Sequence, residues 1–132
     1  KDSKTKIDFN GDGLDLSGSK INISENKFTG FLDKALSIGE ESKALINKNL
    51  FDDNNSAITV KDGSQAYVLS NNFINNKQDF NLFIKKRFYD SPTLFIKKSD
   101  TNRSVQNDLK NKVNSIRLSS EEEMRRLYAT NR

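Results

Sequence analysis

Three groups of residues in this sequence have side chains and spacings that could do chemistry. The first group lies in DFNGDGLD, where Asp8, Asn10 and Asp12 stand at alternate positions before a glycine, as at the start of an oxygen-ligand calcium loop. Such a loop needs an acidic bidentate ligand at its twelfth position, which is Ser19 here. The calcium site is incomplete, so turns built on Asn-Gly and Asp-Gly that lead into a strand are the favoured interpretation.

The second group is the basic and aromatic run KKRFYDSP at 85–92. Lys85, Arg87 and Tyr89 could contact a sugar or an anion. The alternative is a wide structural turn whose aromatic side chains cover the open end of the fold, and this alternative is favoured. The third group is Asp15, Ser37 and Thr59, which recur at a spacing of 22 residues.

The residue types that are missing limit the chemistry. The chain contains no histidine and no cysteine, which removes the usual general base, the commonest metal ligand and any disulfide. Asp52 and Asp53 are adjacent carboxylates, but neighbours on a strand point to opposite faces, so we place them in a turn. We therefore expect no catalytic residue, no bound metal and no cofactor, and we lean against an enzyme.

Composition and charge restrict the class of protein and its partners. Hydrophobic residues make up 33% of the chain and the mean hydropathy is −0.78, which suits a stack of thin repeats better than a thick core. Residues 1–96 carry 13 basic and 13 acidic residues, whereas 97–132 carry nine and five. A basic tail on a neutral body argues against nucleic acid, and no apolar run approaches the length of a membrane span.

A repeat of about 22 residues extends from residue 13 to residue 73. Equivalent aliphatic positions recur at 22 residues, and an asparagine followed two positions later by a phenylalanine recurs at 23 and 22. These residues are Asn26, Asn49 and Asn71 with Phe28, Phe51 and Phe73. Apolar and polar residues alternate within each copy, which indicates short strands with one buried face. The second copy has one extra residue in its turn GEES, 39–42.

This period fits one coil of a parallel β-helix with three strands and three turns. We predict an all-β solenoid of about four coils, with an asparagine ladder at one turn and phenylalanine rings stacked inside. Asp15, Ser37 and Thr59 would face outward and line a shallow groove. The fourth coil is irregular: Phe80 and Leu82 restart the alternation, and TLFI at 93–96 supplies a last strand.

The composition changes after residue 96. We divide the chain into a β-helix at 1–96 and a polar, partly helical tail or cap at 97–132. The tail's helix signals are apolar residues at helical spacing and a capping pair: Leu109, Val113 and Ile116, then Ser120 with Glu123, then Met124, Leu127 and Tyr128. We expect one or two short helices that cap the coil stack. A helix that docks a partner is the alternative.

The stretch NGDGLDLSGSKINISENKF, with its copies at 35–51 and 57–73, resembles right-handed parallel β-helix repeat proteins of the pectate-lyase-like superfamily. The segments LDKALSIGE and AITVKDGS are similar to β-helix regions of large bacterial surface or envelope proteins, some of which carry a CotH-type kinase domain. The likeness covers roughly residues 10–96. It implies a right-handed β-helix and no particular activity, because this architecture hosts lyases, hydrolases, epimerases, adhesins and scaffolds.

The enzyme motifs of these families are incomplete here. The polygalacturonase and alginate-epimerase types need a histidine, which the chain lacks. The pectate-lyase type needs an arginine on the sheet face, whereas Arg87 lies in the irregular fourth coil. We expect a non-catalytic module that acts as a scaffold or binds carbohydrate or a surface, within a larger bacterial protein outside the cell or in its envelope. The alternative is a C-terminal fragment of a polysaccharide-acting enzyme whose catalytic coils are missing.

The expected partners follow from the same interpretation. A polysaccharide is the expected ligand. The first coil of a stack leaves the lower edges of its strands unpaired, which favours pairing with another strand. We therefore expect upstream coils of the same protein, or a second copy of it, to cover that edge.

Overall fold

The computed structural model describes the backbone of residues 2–3 and 6–7 and the complete residues 13–101 and 116–130. The calcium-like positions Asp8, Asn10 and Asp12 lie outside the described residues, and so do Leu109 and Val113.

The strands form three parallel sheets, one on each side of the coil. Sheet 1 contains β3 (Leu14–Ser17), β6 (Lys34–Gly39), β9 (Ser56–Lys61) and β12 (Gln78–Phe83). Sheet 2 contains β1 (Asp2–Ser3), β4 (Lys20–Ser24), β7 (Lys43–Asn47), β10 (Gln65–Leu69), β13 (Thr93–Ile96) and β14 (Ile116–Leu118). Sheet 3 contains β2 (Lys6–Ile7), β5 (Lys27–Thr29), β8 (Leu50–Asp52) and β11 (Asn72–Ile74). The prediction of an all-β parallel solenoid of about four coils is confirmed.

The strand register follows the sequence repeat. Leu16 pairs with Ile38, Ile38 pairs with Val60, and Val60 pairs with Leu82, so each aliphatic side chain lies over its equivalent in the coil below. The rings of Phe28 and Phe51 are stacked with centroids 4.9 Å apart, and the next pair in the column, Phe51 with Phe73, is 5.2 Å apart. Stacking of this kind contributes about 0.5–1.5 kcal/mol per pair beyond burial.

The chain turns at three corners in every coil. Corner 1 joins sheet 1 to sheet 2, corner 2 joins sheet 2 to sheet 3, and corner 3 joins sheet 3 to the next coil. At corner 2, Glu25, Lys48 and Ser70 have φ values of 60°, 60° and 57°. A positive φ is uncommon for a residue with a side chain. Its recurrence at equivalent positions shows that the corner itself demands this conformation.

A polar side chain that follows each positive-φ residue of corner 2 satisfies the backbone of the neighbouring coil. Asn26 donates its N–H and its Nδ2 to Asn49 Oδ1, at 2.9 Å and 3.2 Å. Asn49 repeats both bonds with Asn71 Oδ1, at 2.9 Å and 3.0 Å. Asn49 Nδ2 also donates to the carbonyl of Ile23 at 3.0 Å. The column therefore links consecutive coils through groups that would otherwise be buried without partners.

The other two corners have columns that the sequence analysis did not identify. At corner 3, Asn54 donates its N–H and its Nδ2 to Asn76 Oδ1, both at 2.9 Å. At corner 1, Ser19 N donates to Ser42 Oγ, and Ser42 N donates to Ser64 Oγ, both at 3.1 Å. These asparagines and serines recur at the period of the repeat, and that recurrence could have identified both columns from the sequence.

The C-terminal helix packs against the outer face of sheet 2. Helix α1 (Glu121–Ala129) begins after Ser120, whose Oγ accepts a hydrogen bond from Glu123 N at 3.1 Å, as the capping pair predicts. Its buried side chain, Met124, joins an apolar cluster on that face: Leu45, Tyr67, Leu69 and Phe95. The expected helix is present, but it lies along the side of the stack and not across its end.

Ile116 requires a correction. Its helical spacing from Leu109 and Val113 predicted a helix, but it begins strand β14 and pairs with Leu94 of β13. The uncovered edge of β13 offers backbone hydrogen bonds, and Ile116 is buried against the core. Tertiary pairing therefore overrides the local helical pattern. The boundary at residue 97 stays a prediction.

The lower edge of the first coil is partly covered by the chain itself. Strand β1 pairs with β4 and strand β2 pairs with β5, so sheets 2 and 3 continue below the first coil. Among the described strands, β3 has no neighbour on that side. Upstream coils or a second copy at this edge stay a prediction.

Replacing Asn49 by alanine tests the role of the corner-2 column. The change removes the acceptor for Asn26 N and the donor to Ile23 O, and buried groups left unpaired cost about 1–3 kcal/mol each. We expect a loss of about 2–4 kcal/mol in the free energy of unfolding, measured by urea denaturation. The control is Asn72→Ala, an exposed asparagine in the neighbouring coil, with an expected change below about 0.5 kcal/mol. Equal losses in both variants would contradict the column's role.

Candidate functional site

A polar pocket of about 190 Å³ opens at corner 1. The carboxyl ends of the sheet 1 strands and the turns that follow them supply its walls. Its charged lining residues are Asp15, Glu40, Lys61, Asp62, Lys85 and Lys86. The pocket therefore combines carboxylates and ammonium groups from all four coils.

Two insertions into the repeat lie at corner 1. Ser17 pairs with Gly39 before this corner and Lys20 pairs with Lys43 after it, which confirms the predicted extra residue in the second coil's turn. The second insertion lies in the fourth coil, where the turn from β12 (Gln78–Phe83) to β13 (Thr93–Ile96) is longer than the turns of the coils below. The two insertions face each other across the pocket, because the corners of a solenoid are stacked.

Asp62 anchors the longer insertion, which we call the bulge (residues 84–92). Its Oδ1 accepts hydrogen bonds from the backbone N–H groups of Lys85 at 2.7 Å and Lys86 at 2.9 Å. A third bond joins Gly63 N to Asp90 O at 2.7 Å. Asp62 is 1% exposed, and its Oδ2 has no hydrogen-bond partner within the part of the chain that the structure describes. One oxygen of this buried carboxylate therefore holds the bulge, and the other is unpaired.

Glu40 connects three coils across the pocket. Its carboxylate accepts hydrogen bonds from Lys86 Nζ in the fourth coil and from Ser17 Oγ in the first. The bond from Lys86, followed by that from Ser17, holds the pKa of Glu40 below its usual range. The same bond with Glu40 raises the pKa of Lys86. Both groups are therefore charged at neutral pH, and their ion pair ties the bulge to the second coil.

The bulge presents an aromatic pair beside the pocket. The ring centroids of Phe88 and Tyr89 are 4.6 Å apart with an interplanar angle of 39°. Phe88 is 80% exposed, while Tyr89 is half-buried next to Gly63. A phenylalanine this exposed does not cover the end of the stack, so the structural interpretation of the bulge fails for this residue. Phe88 therefore presents an exposed apolar ring in the bulge.

Four of the predicted binding residues come together at corner 1. Asp15 and Lys85 line the pocket, and Arg87 and Tyr89 lie in the bulge. The sequence analysis missed a further set of lining residues: Ser17, Glu40, Lys61, Asp62 and Lys86. The two insertions into the repeat were the signal that could have located these residues.

Ser37 and Thr59 are placed differently from the prediction. Both align in register with Asp15 on sheet 1, but they are 1% and 0% exposed. Strands lie only about 4.8 Å apart, so short side chains in the middle of a sheet are hidden by longer neighbours. Thr59 Oγ1 lies 3.0 Å from Ser56 Oγ. The hydroxyls of Ser37 and Thr59 therefore do not line an open groove.

Other chemistry-bearing residues do not add to this site. Among the described residues there is no group of three or more His, Cys, Asp or Glu side chains that could hold a metal ion. Burial raises the pKa of Asp79, which accepts from Asn76 Nδ2 at 3.2 Å, but Asp79 does not line the pocket. In the same part of the chain no helix is long and apolar enough to cross a membrane.

Comparison with known families agrees with this architecture. The model of the right handed beta helix region matches residues 3–125 of the chain. The chain belongs to the right-handed β-helix family. The match begins in strand β1 and ends within α1, so it includes the first and last described elements of the stack. Searches of curated proteins and of solved structures find no significant match.

Membership of the right-handed β-helix family establishes the coil and its handedness, and it leaves the activity open. The columns at the three corners belong to the stack. The pocket and the bulge are additions to it, so the function must be argued from their geometry.

Replacing Glu40 by glutamine tests the ion pair with Lys86 through its pH dependence. Because the folded protein lowers the pKa of Glu40, this carboxylate stabilises the fold above its usual value of 4.5 and loses that contribution as the pH falls through the lowered value. We expect Glu40→Gln to lower the thermal midpoint at pH 7, and the difference from wild type to shrink below pH 4.5 and to disappear as the pH falls through the lowered value. Thermal unfolding followed by circular dichroism across this range measures the effect.

The control for this experiment is Glu122→Gln on the exposed side of α1. It removes the same charge without touching Lys86 or Ser17. A midpoint difference for Glu40→Gln that persists unchanged in acid would show that the ion pair does not hold the bulge.

Proposed function

We propose that this chain is a non-catalytic binding module that holds a polysaccharide at the corner-1 pocket. One observation carries the proposal: the two insertions into the repeat meet at one corner, where they build a polar pocket beside an exposed aromatic ring. The stack itself does not require either insertion, because the other corners close without them. A feature added to a complete scaffold at one place is best explained by a ligand.

The chemistry of the site suits a sugar polymer. Sugar rings present apolar C–H faces and a rim of hydroxyl groups, so a binding site needs aromatic surface and polar side chains together. Phe88 provides the exposed ring face. Asp15 and Lys85 provide an acceptor and a donor within the adjacent pocket. The rigid coil stack holds these groups at fixed separations, which lowers the entropic cost of binding.

The electrostatics of the pocket support a non-catalytic role. Glycoside hydrolysis needs one carboxyl group that stays protonated at working pH, and such a group has a raised pKa. Glu40 has a lowered pKa, since Lys86 and Ser17 both stabilise its ionised form. Its carboxylate is thus committed to holding the bulge and is unsuited to act as a general acid.

A polysaccharide ligand also suits a location outside the cell or in the envelope of a bacterium. There the module would act as a rigid arm of a larger surface protein that presents the bulge to a glycan. The shape of a β-helix favours this use, because coils add length without changing the corner geometry.

Replacing Phe88 by alanine tests the proposed function. We expect the affinity for the bound polysaccharide to fall about 3- to 10-fold, since an aromatic contact contributes about 0.5–1.5 kcal/mol. Affinity gel electrophoresis against a panel of plant, algal and bacterial polysaccharides identifies the ligand and measures the change. The matched control is Leu32→Ala, an apolar side chain that is 72% exposed at corner 3, and its affinity should equal that of wild type.

Two outcomes of this experiment would overturn the proposal in different ways. Release of reducing or unsaturated sugars during incubation would show an enzyme and would support the fragment alternative. Failure to bind any polysaccharide in the panel would remove the carbohydrate ligand altogether.

A further inference from the structure

We infer that Lys61 contacts the ligand in the corner-1 pocket, where it donates hydrogen bonds to oxygen atoms of the bound sugar, and that Gly39 positions it by having no side chain. This inference rests on the proposed function and assigns roles to two residues within that site. Three observations carry it: the register of sheet 1, the space beside Gly39, and the bonds that the other charged groups of the pocket already make.

Gly39 and Lys61 occupy equivalent positions at the carboxyl end of sheet 1. Ser17 pairs with Gly39, and Lys61 pairs with Phe83. Because strands β6 and β9 pair in register up to Ile38 and Val60, the residues that follow, Gly39 and Lys61, lie over one another. This column therefore places a lysine directly above a glycine, and both residues line the pocket.

The missing side chain of Gly39 leaves the space through which Lys61 extends. A Cβ atom at residue 39 would lie 2.9 Å from Lys61 Cε, 3.2 Å from Cγ and 3.6 Å from Cδ. Stacked strands are only about 4.8 Å apart, so two side chains at equivalent positions normally compete for this space. Gly39 is not one of the glycines with a positive φ, so its backbone conformation does not require glycine. The glycine therefore accommodates the lysine stem, which lies across it.

The ammonium group of Lys61 is available to a ligand. Lys61 is partly exposed, and its side chain makes no hydrogen bond or ion pair with any described residue. In the same part of the chain, the buried polar atoms without a partner include Asp62 Oδ2 but not the nitrogen of Lys61. An ammonium group has three donors and no acceptor, so its partner in a ligand is an oxygen that accepts. The hydroxyl groups of a sugar provide such oxygens.

The neighbouring charged groups make Lys61 a better donor to a ligand than Lys86. Lys86 Nζ is bonded to Glu40, and the carboxylate of Asp62 holds two amides of the bulge. The charge of Lys61 also lowers the pKa of Glu40, after the larger effects of Lys86 and Ser17. Lys61 is therefore within electrostatic reach of Glu40 without being bonded to it, and its donors remain for a ligand.

Lys61 lies between two other charged groups that could bond to a ligand. Asp15 belongs to the first coil and Lys85 to the fourth, and their side chains also make no hydrogen bond or ion pair with a described residue. Lys61, in the third coil, extends across Gly39 of the second. The pocket thus presents donors and an acceptor from separate coils. Hydroxyl groups of a sugar can bond to both kinds, because each hydroxyl donates and accepts.

Lys61→Met tests the contact with the ligand, because methionine keeps an unbranched stem and removes the ammonium group. We expect the affinity to fall about 10-fold, as for the loss of a hydrogen bond from a charged group. The measurement is affinity electrophoresis in gels that contain soluble xylan, β-glucan, pectin or alginate. The matched control is Lys27→Met, the same change at an exposed position of β5 in sheet 3, and its affinity should equal that of wild type.

Gly39→Ala tests the positioning role through a double-mutant cycle with Lys61→Met. The added Cβ displaces Lys61 but suits the backbone, so we expect a loss of affinity of about 3- to 10-fold with a thermal midpoint at or above that of wild type. In the Lys61→Met background the same change should alter the affinity by less than about 2-fold, because the displaced ammonium group is already absent. A purely structural glycine would lower the midpoint and weaken binding equally in both backgrounds.

The outcomes separate this inference from the proposed function. If Phe88→Ala weakens binding while Lys61→Met binds as tightly as wild type, the inference is wrong and the carbohydrate-binding function stands. Equal losses of affinity for Gly39→Ala in the two backgrounds would overturn the positioning role. If neither these four polymers nor the wider panel retards the wild-type protein, both the inference and the proposed function are wrong.

Discussion

The structure depends on how each corner of the coil satisfies the backbone. A strand pairs its N–H and C=O groups with the coils above and below, but a corner interrupts that ladder inside the protein, where unpaired groups are costly. At corner 2, one residue with a positive φ turns the chain, and the asparagine after it bonds to the neighbouring coil. At corner 2, the bonds between Asn26, Asn49 and Asn71 keep the coils in register. Register in turn places the aliphatic and phenylalanine columns over one another.

The same constraint explains where the molecule can carry a binding site. A residue added within a strand would shift every later side chain to the opposite face. A residue added at a corner leaves the strands on either side in register. Glu40 lies in the inserted turn of the second coil, and Lys86 lies in the insertion of the fourth. Because corners are stacked, these two residues from separate coils meet in an ion pair that helps to shape the pocket.

The outer face of sheet 2 is covered by helix α1, whereas the pocket opens at corner 1. Tyr67 and Phe95 stack there at 4.6 Å, and Met124 of α1 packs against them. Lys43, which is buried, donates its Nζ to the carbonyl of Thr130 at the end of the helix, at 2.8 Å. This arrangement secures the helix at its carboxyl end, where a cation is favourable. The helix thereby covers the apolar side of the stack and leaves corner 1 uncovered.

The repeat was sufficient to predict the fold. A 22-residue period with alternating aliphatic residues allows few architectures, and each coil repeats the same local solution, so three copies suffice to recognise the coil. Local pattern also identified the capped helix at Ser120. It misassigned Ile116, because the choice between helix and strand there depends on the free edge of β13, which is distant in sequence from Ile116.

The candidate site was decided by tertiary structure. Asp15, Lys85 and Tyr89 were recognised by residue type, but nothing local distinguishes Asp62 from an ordinary turn residue. Its role arises because its carboxylate lies under the bulge and accepts hydrogen bonds from two backbone amides of the next coil. The burial of Ser37 and Thr59 likewise depends on the height of side chains on neighbouring strands. The sequence by itself determined the coil, since that information repeats, whereas the pocket needed the stacking of corners that brings the two insertions together.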